Sequence, residues 1–206
     1  IERTRGRGGK EREKTSGRIA ARAALLCRSL PAYAQEGMET VMARLAENAT
    51  VKSIDSRFTQ TRSMAVFASD VVKEGNFSFR RPEDIRMDFD DGDYIHISDK
   101  EFEMLSEGRL SRTKSSSNPM LGGMKRMLAA CLSGDMKALV NGFESSLDED
   151  AASYTLTLVP AARQRSMFSS LVLRFDKKDM SLDTMKMCEA GGDSTSWSFT
   201  RKKIVK

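Results

Sequence analysis

Few residues of this chain have the types and spacing that catalysis or metal binding requires. His96 is the only histidine, and the three cysteines, Cys27, Cys131 and Cys188, form no CxxC pair. Zinc sites, haem ligation through histidine, Ser-His-Asp triads and Cys-His dyads all need a fuller set of ligands or an activated nucleophile. The sequence therefore disfavours a hydrolase and predicts a protein without catalysis, and we expect neither a metal ion nor a cofactor.

The histidine and two of the cysteines have structural interpretations. His96 alternates with Ile95 and Ile97, so its side chain is expected to face the opposite side of a strand, outward, in a structural role. Cys131 and Cys188 could form a disulfide if the protein is exported. One of them falls in a predicted helix and the other near a predicted strand end, which disfavours the pairing.

Carboxylates are grouped at two places where they could suggest acid–base chemistry or calcium binding. Asp88, Asp90 and Asp91 form one group, and residues 148–150, Asp-Glu-Asp, form the other. Neither group has the spacing of a calcium-binding loop, and acidic residues are common at turn positions. We interpret both groups as turns.

Methionine is the most informative residue type in the chain. Of the 13 methionines, six fall on the apolar stripes of predicted helices, while aromatic residues make up only 7% of the chain. Flexible, polarisable thioethers suit a surface that accommodates variable apolar ligands such as acyl chains. Methionine on a helical stripe is also common in ordinary cores, so both interpretations stay open. The six residues are Met38, Met42, Met120, Met124, Met127 and Met136.

Arg81, which directly precedes Pro82, is the polar residue with the most informative position. It shares strand parity with Phe77 and Phe79, so a regular strand would direct its guanidinium toward the same apolar side. An arginine there must find acceptors, and its five donors can bind main-chain carbonyls at a helix end or in a covering loop. Alternatively, Pro82 ends the strand and Arg81 bends out to solvent.

The net positive charge of the chain belongs to its first segment. The 206 residues contain 34 Lys and Arg against 29 Asp and Glu, a formal charge of +5. Residues 1–34 alone hold nine Lys and Arg against three Glu, so residues 35–206 are close to neutral and slightly acidic. Nucleic-acid-binding domains need clustered Lys and Arg to neutralise phosphates. We therefore expect no nucleic-acid partner.

The first segment predicts an unfolded basic stretch followed by an imperfect export signal. Residues 1–18 are basic, glycine-rich and almost free of apolar side chains, so burial cannot offset the entropy of ordering them. Residues 19–30 are more apolar, and Ala32-Tyr33-Ala34 offers a small-x-small site for signal peptidase. Arginines interrupt the apolar stretch, and a basic arm or mistranslated upstream sequence is the alternative. We divide the chain into this segment, residues 1–34, and one folded domain, residues 35–206.

The period of the apolar residues changes along the folded domain. Residues 35–48 carry apolar side chains at helical spacing, which predicts one amphipathic helix. From Phe58 onward the period is two, with turns rich in Gly, Pro and Asp between short runs, as in antiparallel strands. Alternation returns between Tyr154 and Phe199. The pattern predicts about ten or eleven strands.

Two predicted helices interrupt the strands at the centre of the chain. Pro119 suits a first helical position, and an apolar stripe follows it as far as Ser133. Asp135 can cap a second helix. The stripe of this second helix contains Met136, Leu139, Val140 and Phe143.

The number of strands constrains the architecture. A single sheet of this size must curl or close, because long flat sheets expose their edges. Curling creates a concave face, and the apolar stripes of the central helices must be buried against something. We predict a mainly β (α+β) fold, a curled antiparallel half-barrel with an N-terminal helix and a central helical lid.

Several segments in order carry a resemblance to a known family. The first are Phe58-Thr59-Gln60, then residues 75–82 (GNFSFRRP), then Ile97-Ser98-Asp99-Lys100. Together with residues 154–160, 171–179 and 195–200, they resemble the LolA-type periplasmic lipoprotein carriers, in the divergent form of Bacteroidetes-type sequences. The resemblance spans residues 35–205. Its most specific element is the strand that ends in Arg81-Pro82.

The resemblance implies an unclosed barrel, covered by helices, that shuttles acylated lipoproteins across the periplasm. The implied partners are an inner-membrane lipoprotein-release complex and an outer-membrane acceptor, and we expect a periplasmic monomer. By the same resemblance, Arg81 matches the arginine that latches the lid, and Ile85 and Met87 occupy cavity positions that are often aromatic in the family. The predicted acyl-chain and lipoprotein-binding residues are Phe58, Phe77, Phe79, Ile85, Met87, Phe89, Met124, Met127, Leu128 and Leu139.

A second class of function stays open. A cell-envelope module without catalysis could use the sheet to dock a protein or a glycolipid, with the methionines as ordinary core. A continuous apolar cavity that opens when the helices lift would favour the carrier, whereas a filled interior would favour the docking module.

Overall fold

The computed structural model describes residues 31–66, 69–114, 119–161 and 168–206. In this part of the chain lie three α-helices, α1 (Pro31–Ala46), α2 (Pro119–Ser133) and α3 (Met136–Val140), and a 3-10 turn, Glu47–Thr50, that follows α1. The strands are β1 (Ser53–Ser63), β2 (Val71–Arg80), β3 (Asp84–Phe89), β4 (Tyr94–Ile97), β5 (Glu101–Ser106), β6 (Arg109–Lys114), β7 (Phe143–Glu149), β8 (Ser153–Pro160), β9 (Ser170–Asp176), β10 (Leu182–Cys188) and β11 (Ser194–Val205).

All of these strands belong to one antiparallel sheet, in the order β6-β5-β4-β3-β2-β1-β11-β10-β9-β8-β7. The first and last strands, β1 and β11, pair along the middle of the sheet, with Phe58 opposite Phe199. The two edge strands, β6 and β7, follow each other in sequence, so the segment that joins them must pass from one edge of the sheet to the other. This segment contains α2 and α3, and the topology therefore carries both helices across the sheet.

The two faces of the sheet differ in polarity. Ile85, Met87 and Phe89 alternate with charged residues along β3 and are buried, and Leu171 and Leu173 are likewise buried at alternate positions of β9. Since alternate residues of a strand point to opposite faces, one face of the half-barrel is apolar and the other carries the charged side chains. The apolar face is the concave one, under the helices.

The helices and the concave face share one hydrophobic core. Val41 and Leu45 of α1, Cys131 and Leu132 of α2, and Leu139 of α3 are buried in the same cluster as the inward side chains of the sheet. Fully burying a leucine or phenylalanine side chain contributes roughly 1.5–3 kcal/mol. This shared core is therefore the main source of the stability of the fold, and it fixes the helices over the sheet.

The structure confirms the predicted fold class, a mainly β, open antiparallel half-barrel with an N-terminal helix and central helices. The helix α2 runs from the predicted Pro119 to Ser133. The helix α1 begins at Pro31, before the predicted start at residue 35, and gives way to the 3-10 turn after Ala46. The predicted unfolded stretch and most of the predicted export signal fall in residues 1–30, outside the described part of the chain.

One strand differs from the sequence prediction. Phe143, expected on the stripe of the second central helix, instead begins β7. The helix α3 ends earlier, at Val140, because the chain turns at Gly142, which adopts a φ of +86°. Such a positive φ is accessible to glycine and commonly ends a helix. The correction adds a strand at the edge of the sheet.

The acidic groups also divide between strands and turns. Asp148 and Glu149 lie in β7 and not in a turn, whereas Asp150 lies in the turn that follows and accepts hydrogen bonds from the backbone N–H groups of Ala152 and Ser153, each 2.8 Å long. In the other group, Asp88 lies in β3, and Asp90 and Asp91 are in the turn after it, as predicted. The prediction of turns was wrong for Asp88, Asp148 and Glu149, because exposed strand positions accept charged side chains as readily as turns do.

Candidate functional site

The concave face brings together six of the predicted binding residues. Adjacent strands β1, β2 and β3 supply them, and all six side chains point to the same side. None is more than 9% exposed. The six residues are Phe58, Phe77, Phe79, Ile85, Met87 and Phe89.

Gly75 shapes the aromatic part of this face. Phe58 in β1, Gly75 in β2 and Phe89 in β3 stand side by side across three strands. The Phe58 and Phe89 rings meet edge to face over the glycine, with centroids 5.2 Å apart and an interplanar angle of 81°. A Cβ at Gly75 would lie 2.8 Å from Cε1 of Phe58 and 2.2 Å from the carbonyl oxygen of Asp88. Sequence reasoning missed this role, although a glycine inside a regular strand is the signal of such a close approach.

The helices supply the remaining predicted binding residues. Leu139 of α3 is 1% exposed, whereas Met127 and Leu128 of α2 are half-buried and pack against the core. Met124 lies within α2, but its side chain is outside the described residues. Met127 and Leu128 therefore combine contact with the core and some access to solvent.

Arg81 lies at the end of the site and not on its floor. The strand β2 ends at Arg80, so the parity that would direct Arg81 inward does not continue, and the residue is exposed. Its Nε donates a hydrogen bond of 2.8 Å to the carbonyl oxygen of Val51, and its backbone N–H donates one of 2.9 Å to the carbonyl oxygen of Lys52. Val51 directly follows the 3-10 turn. Arg81 thus joins the β2–β3 turn to the segment between α1 and the sheet.

An ion pair with one buried member connects α2 to the same β2–β3 turn. Nζ of Lys125 in α2 lies 2.7 Å from Oε2 of Glu83, and the two side chains are 9% and 39% exposed. Sequence reasoning missed this pair. Lys125 precedes Leu128, Ala129 and Leu132 at i+3, i+4 and i+7, which is the spacing of one helical face. That spacing could have indicated a lysine on the buried side of α2.

The helix α1 is fixed to the opposite half of the sheet. Arg44 donates hydrogen bonds of 2.9 Å to the hydroxyl of Tyr154 and 2.8 Å to the carbonyl oxygen of Lys177. Just beyond α1, the buried Asn48 donates one of 2.7 Å to the carbonyl oxygen of Met180. These bonds reach β8 and the β9–β10 turn, so α1 is held by several polar contacts as well as by its apolar face.

The convex face is polar and carries ion pairs. On this face, Nη2 of Arg57 lies 2.6 Å from Oδ2 of Asp90. Lys73 has the strand parity of Gly75 and Phe77 and lies instead at the edge of the concave side, with Nζ 5.4 Å from the centroid of the Phe89 ring and 2.8 Å from Oδ2 of both Asp91 and Asp93. A hydrogen bond from Arg57 lowers the pKa of the Asp90 carboxyl, and hydrogen bonds from Lys73 lower the pKa values of Asp91 and Asp93. Ion pairs in contact with water stabilise a fold only weakly. The contrast with the opposite face leaves the apolar concave face as the candidate site.

The histidine and the described cysteines take structural positions. His96 lies on the outer face beside Arg86, as predicted, with Nε2 3.1 Å from Oδ2 of Asp84. Cys131 and Cys188 are both free thiols. Burial raises the pKa of the Cys131 thiol to about 12, so this side chain is a protonated, unreactive part of the core. Among the described residues, no three His, Cys, Asp or Glu side chains are grouped as metal ligands would be.

An open antiparallel half-barrel with an apolar concave face beneath helices defines the lipoprotein-carrier class of folds. The family described as "Outer membrane lipoprotein carrier protein LolA" matches residues 49–205. The chain belongs to this LolA family. A comparison with curated protein sequences finds no match.

Solved structures are similar to this chain at low sequence identity. An uncharacterized conserved protein from Thermus thermophilus superposes with a TM-score of 0.50 at 9% identity, over 82% of this chain and 88% of that one. A putative outer membrane lipoprotein-sorting protein domain from Vibrio parahaemolyticus gives 0.41 at 14% identity, over 83% and 93%. A LolA superfamily protein from Nitrosomonas europaea gives 0.39 at 8% identity, over 82% and 93%.

No helix within the described residues is long and apolar enough to cross a bilayer.

Proposed function

We propose that this protein is a periplasmic carrier that binds the acyl chains of lipoproteins on its concave face and shuttles them toward the outer membrane. The observation that carries the proposal is the largely apolar face that packs beneath the helices, in a chain of the LolA family. By the family, the partners are acylated lipoproteins, an inner-membrane release complex and an outer-membrane acceptor. The protein acts as a monomer, without catalysis, cofactor or nucleic acid.

Apolar burial supplies the binding free energy in this proposal. Each CH2 group removed from water contributes about 0.8 kcal/mol, so a partly enclosed acyl chain is enough for strong binding. The inward side chains of β1, β2 and β3 form the floor of the site, and Met127, Leu128 and Leu139 form its roof. Met124 is proposed as part of the same roof by its place in α2.

Binding requires the helices to move. The six floor residues are nearly fully buried, so an acyl chain reaches them only when the roof lifts from the floor. Met127 and Leu128 are half-buried on α2 and pack against the floor cluster. A flexible thioether such as Met127 can repack against either the floor or a ligand without a unique geometry, which keeps the closed and open states close in free energy.

Arg81 is proposed as a latch of the helical cover, acting through the segment that follows α1. Its bond to the carbonyl oxygen of Val51 supports this role, because Val51 directly follows the 3-10 turn against which α2 packs. Replacing Arg81 with leucine removes the bond and is expected to change the rate at which bound lipoprotein is released. An unchanged release rate would leave Arg81 a purely local contact.

The near-complete burial of the floor residues favours a second candidate, a cell-envelope module that docks a protein or glycolipid and uses these side chains as ordinary core. Mass spectrometry of material that co-purifies with the full chain from the periplasm of a lipoprotein-producing cell separates the two. The carrier predicts acylated lipoproteins, lost on Leu128→Glu and retained on Val159→Glu, which places the same charge at an exposed position of β8. Recovery of non-acylated proteins alone, in all three samples, would favour docking.

A further inference from the structure

Lys125 is an unusual residue for the inner side of a helix. Lysine is almost never buried without a partner, because removing its ammonium group from water is costly. Here the side chain is only 9% exposed, and its partner is Glu83, 2.7 Å away in the turn between β2 and β3. The pair therefore joins the helix that crosses the sheet to the sheet itself, at the β2–β3 end of the floor.

The other end of α2 is held differently. Gly134, directly after α2, adopts a φ of +74°, and a Cβ on it would lie 2.1 Å from the carbonyl oxygen of Leu45 in α1. The C-terminal end of α2 thus packs tightly against α1, which Arg44 and Asn48 fix to the far half of the sheet. The buried face of α2 ends in Cys131 and Leu132 at this same end.

From this arrangement we infer that the Glu83–Lys125 ion pair is a second latch, which acts on α2 itself and is separate from the Arg81 bond to the segment after α1. Closed, the pair holds the Lys125 end of α2 on the β2–β3 turn. Open, the ammonium and the carboxylate separate into water, and α2 lifts from the floor while its Gly134 end stays against α1. Opening exposes the concave face, and in this respect the inference rests on the proposed carrier function and names the contact that controls it.

The two members of the pair are not equivalent. Removing Glu83 leaves a buried, unpaired ammonium group, which favours the open state because Lys125 regains water there. Removing the charge of Lys125 with a methionine of similar length leaves an apolar side chain against an apolar core and a half-exposed carboxylate that keeps its water. Glu83→Gln should therefore open the lid, Lys125→Met should not, and the double variant should stay closed.

A cysteine at position 129 reports on opening. Ala129 lies one helical turn after Lys125 on the same buried face of α2 and is 6% exposed, so a thiol reagent reaches a cysteine there only when the Lys125 end of the helix lifts. The full chain with Ala129→Cys, Cys27→Ser, Cys131→Ala and Cys188→Ser carries this one thiol, and its reaction with a chromogenic disulfide reagent is followed in time. Asp84→Asn is the matched control, since Asp84 is the neighbouring acidic residue and pairs with His96 on the outer face.

The latch predicts that Glu83→Gln raises the labelling rate by at least about tenfold. Lys125→Met and Asp84→Asn should leave the rate within about twofold of that of the unsubstituted protein. The variant with both Glu83→Gln and Lys125→Met should label at the rate of the unsubstituted protein. Hydrogen exchange of the β9 amides is expected to be unchanged in all variants, which excludes global unfolding. An unchanged rate in Glu83→Gln, or equal increases in both single variants, would overturn the inference. If Glu83→Gln alone fails to fold, the double variant still decides, because the latch predicts a folded, slowly labelled protein.

The same variants separate the latch from the carrier function. A fluorescent peptide that begins with a triacylated cysteine is the ligand, and the same peptide without acyl chains is the control. Faster release of the acylated peptide by Glu83→Gln is the expected result. If labelling responds but no variant binds the acylated peptide, the latch stands and the carrier function is wrong. If the peptide binds and labelling does not respond, the carrier stands and the latch is wrong.

Discussion

Gly75 and Lys125 are inconspicuous in the sequence, yet each controls part of the candidate site. Gly75 has no side chain, and the Phe58 and Phe89 rings meet in the space that a Cβ would take. Lys125 is a charged residue on a buried helical face, held there by Glu83. Both are exceptions to the apolar alternation that predicts the rest of the floor and roof, and local rules of this kind fail where a specific contact replaces generic packing.

Replacing Gly75 with alanine tests the close approach across the floor. The new methyl group would meet the carbonyl oxygen of Asp88 at 2.2 Å, and backbone cannot move away as a flexible side chain can. We expect a loss of about 1–3 kcal/mol in the free energy of unfolding, measured by urea denaturation. Gly37→Ala in α1 is the control, because nothing lies within 4 Å of its Cβ position, and alanine should stabilise the helix. Equal stability of the two variants would contradict the proposed role of Gly75.

The helices α1 and α2 differ in how they are attached. Polar bonds from Arg44 and Asn48 hold α1 to β8 and the β9–β10 turn. At its Lys125 end, α2 is joined to the sheet by the ion pair with Glu83. The first helix is therefore interpreted as part of the rigid scaffold and the second as the moving lid.

Asn48→Ala tests the fixed attachment of α1. The substitution leaves the buried carbonyl oxygen of Met180 without its donor, which should lower the free energy of unfolding by about 1–3 kcal/mol. The labelling rate of the reporter cysteine at position 129 should rise in Asn48→Ala only as far as global unfolding exposes it, whereas Glu83→Gln should raise the labelling rate without loss of stability. Glu47→Ala, at an exposed neighbouring position, should change stability by less than about 0.5 kcal/mol. A labelling increase in Asn48→Ala without loss of stability would show that α1 moves as well.

The elements that the sequence predicts well are those with one buried face. The stripe of α2 and the alternation of β3 follow from burial against one side, and both appear where the patterns place them. The edge strand β7 escaped prediction because Phe143 and Leu147 are its only large apolar residues and most of its length is exposed. An edge strand with charged residues on the solvent side carries little alternation. The same limit explains the acidic residues of β7 that were taken for a turn.

The topology of the whole chain was not available from patterns of period two. Those patterns give the number of strands but not their order, and the pairing of β1 with β11 joins residues at opposite ends of the domain. This pairing is what places β6 and β7 at the edges and sends α2 and α3 across the sheet. The curled sheet and the helical cover were predicted from the need to bury apolar stripes. The strand order explains the cover, because the segment between β6 and β7 has to cross from one edge of the sheet to the other and contains α2 and α3.

The pH dependence of stability should show a plateau with losses on both sides. Hydrogen bonds with Arg57 and Lys73 lower the pKa values of Asp90, Asp91 and Asp93 from 3.8 in the folded state. The contribution of these carboxylates to the free energy of unfolding is therefore present above pH 3.8 and is lost as the pH falls below it.

Burial raises the pKa of Cys131 from 9.0 to about 12. The contribution of this buried thiol to the free energy of unfolding is therefore present below pH 9.0 and is lost as the pH rises above it.

Urea denaturation across the pH range measures this plateau. Cys131→Ala, which lacks the buried thiol, should remove part of the loss above pH 9.0 while leaving the acidic loss unchanged. Stability that rises on acidification below pH 3.8, or an alkaline loss identical in Cys131→Ala, would contradict the roles given to these groups.

The measurement that tests the carrier function most directly is binding of the triacylated cysteine peptide to the purified full chain. Saturable binding is expected, with no binding of the same peptide without acyl chains. Leu128→Glu should abolish it by placing a charge in the roof, while Val159→Glu on β8 should not. Equal binding of both peptides, or acylated binding untouched by Leu128→Glu, would contradict an acyl-binding concave face and favour a module that docks a partner on its surface.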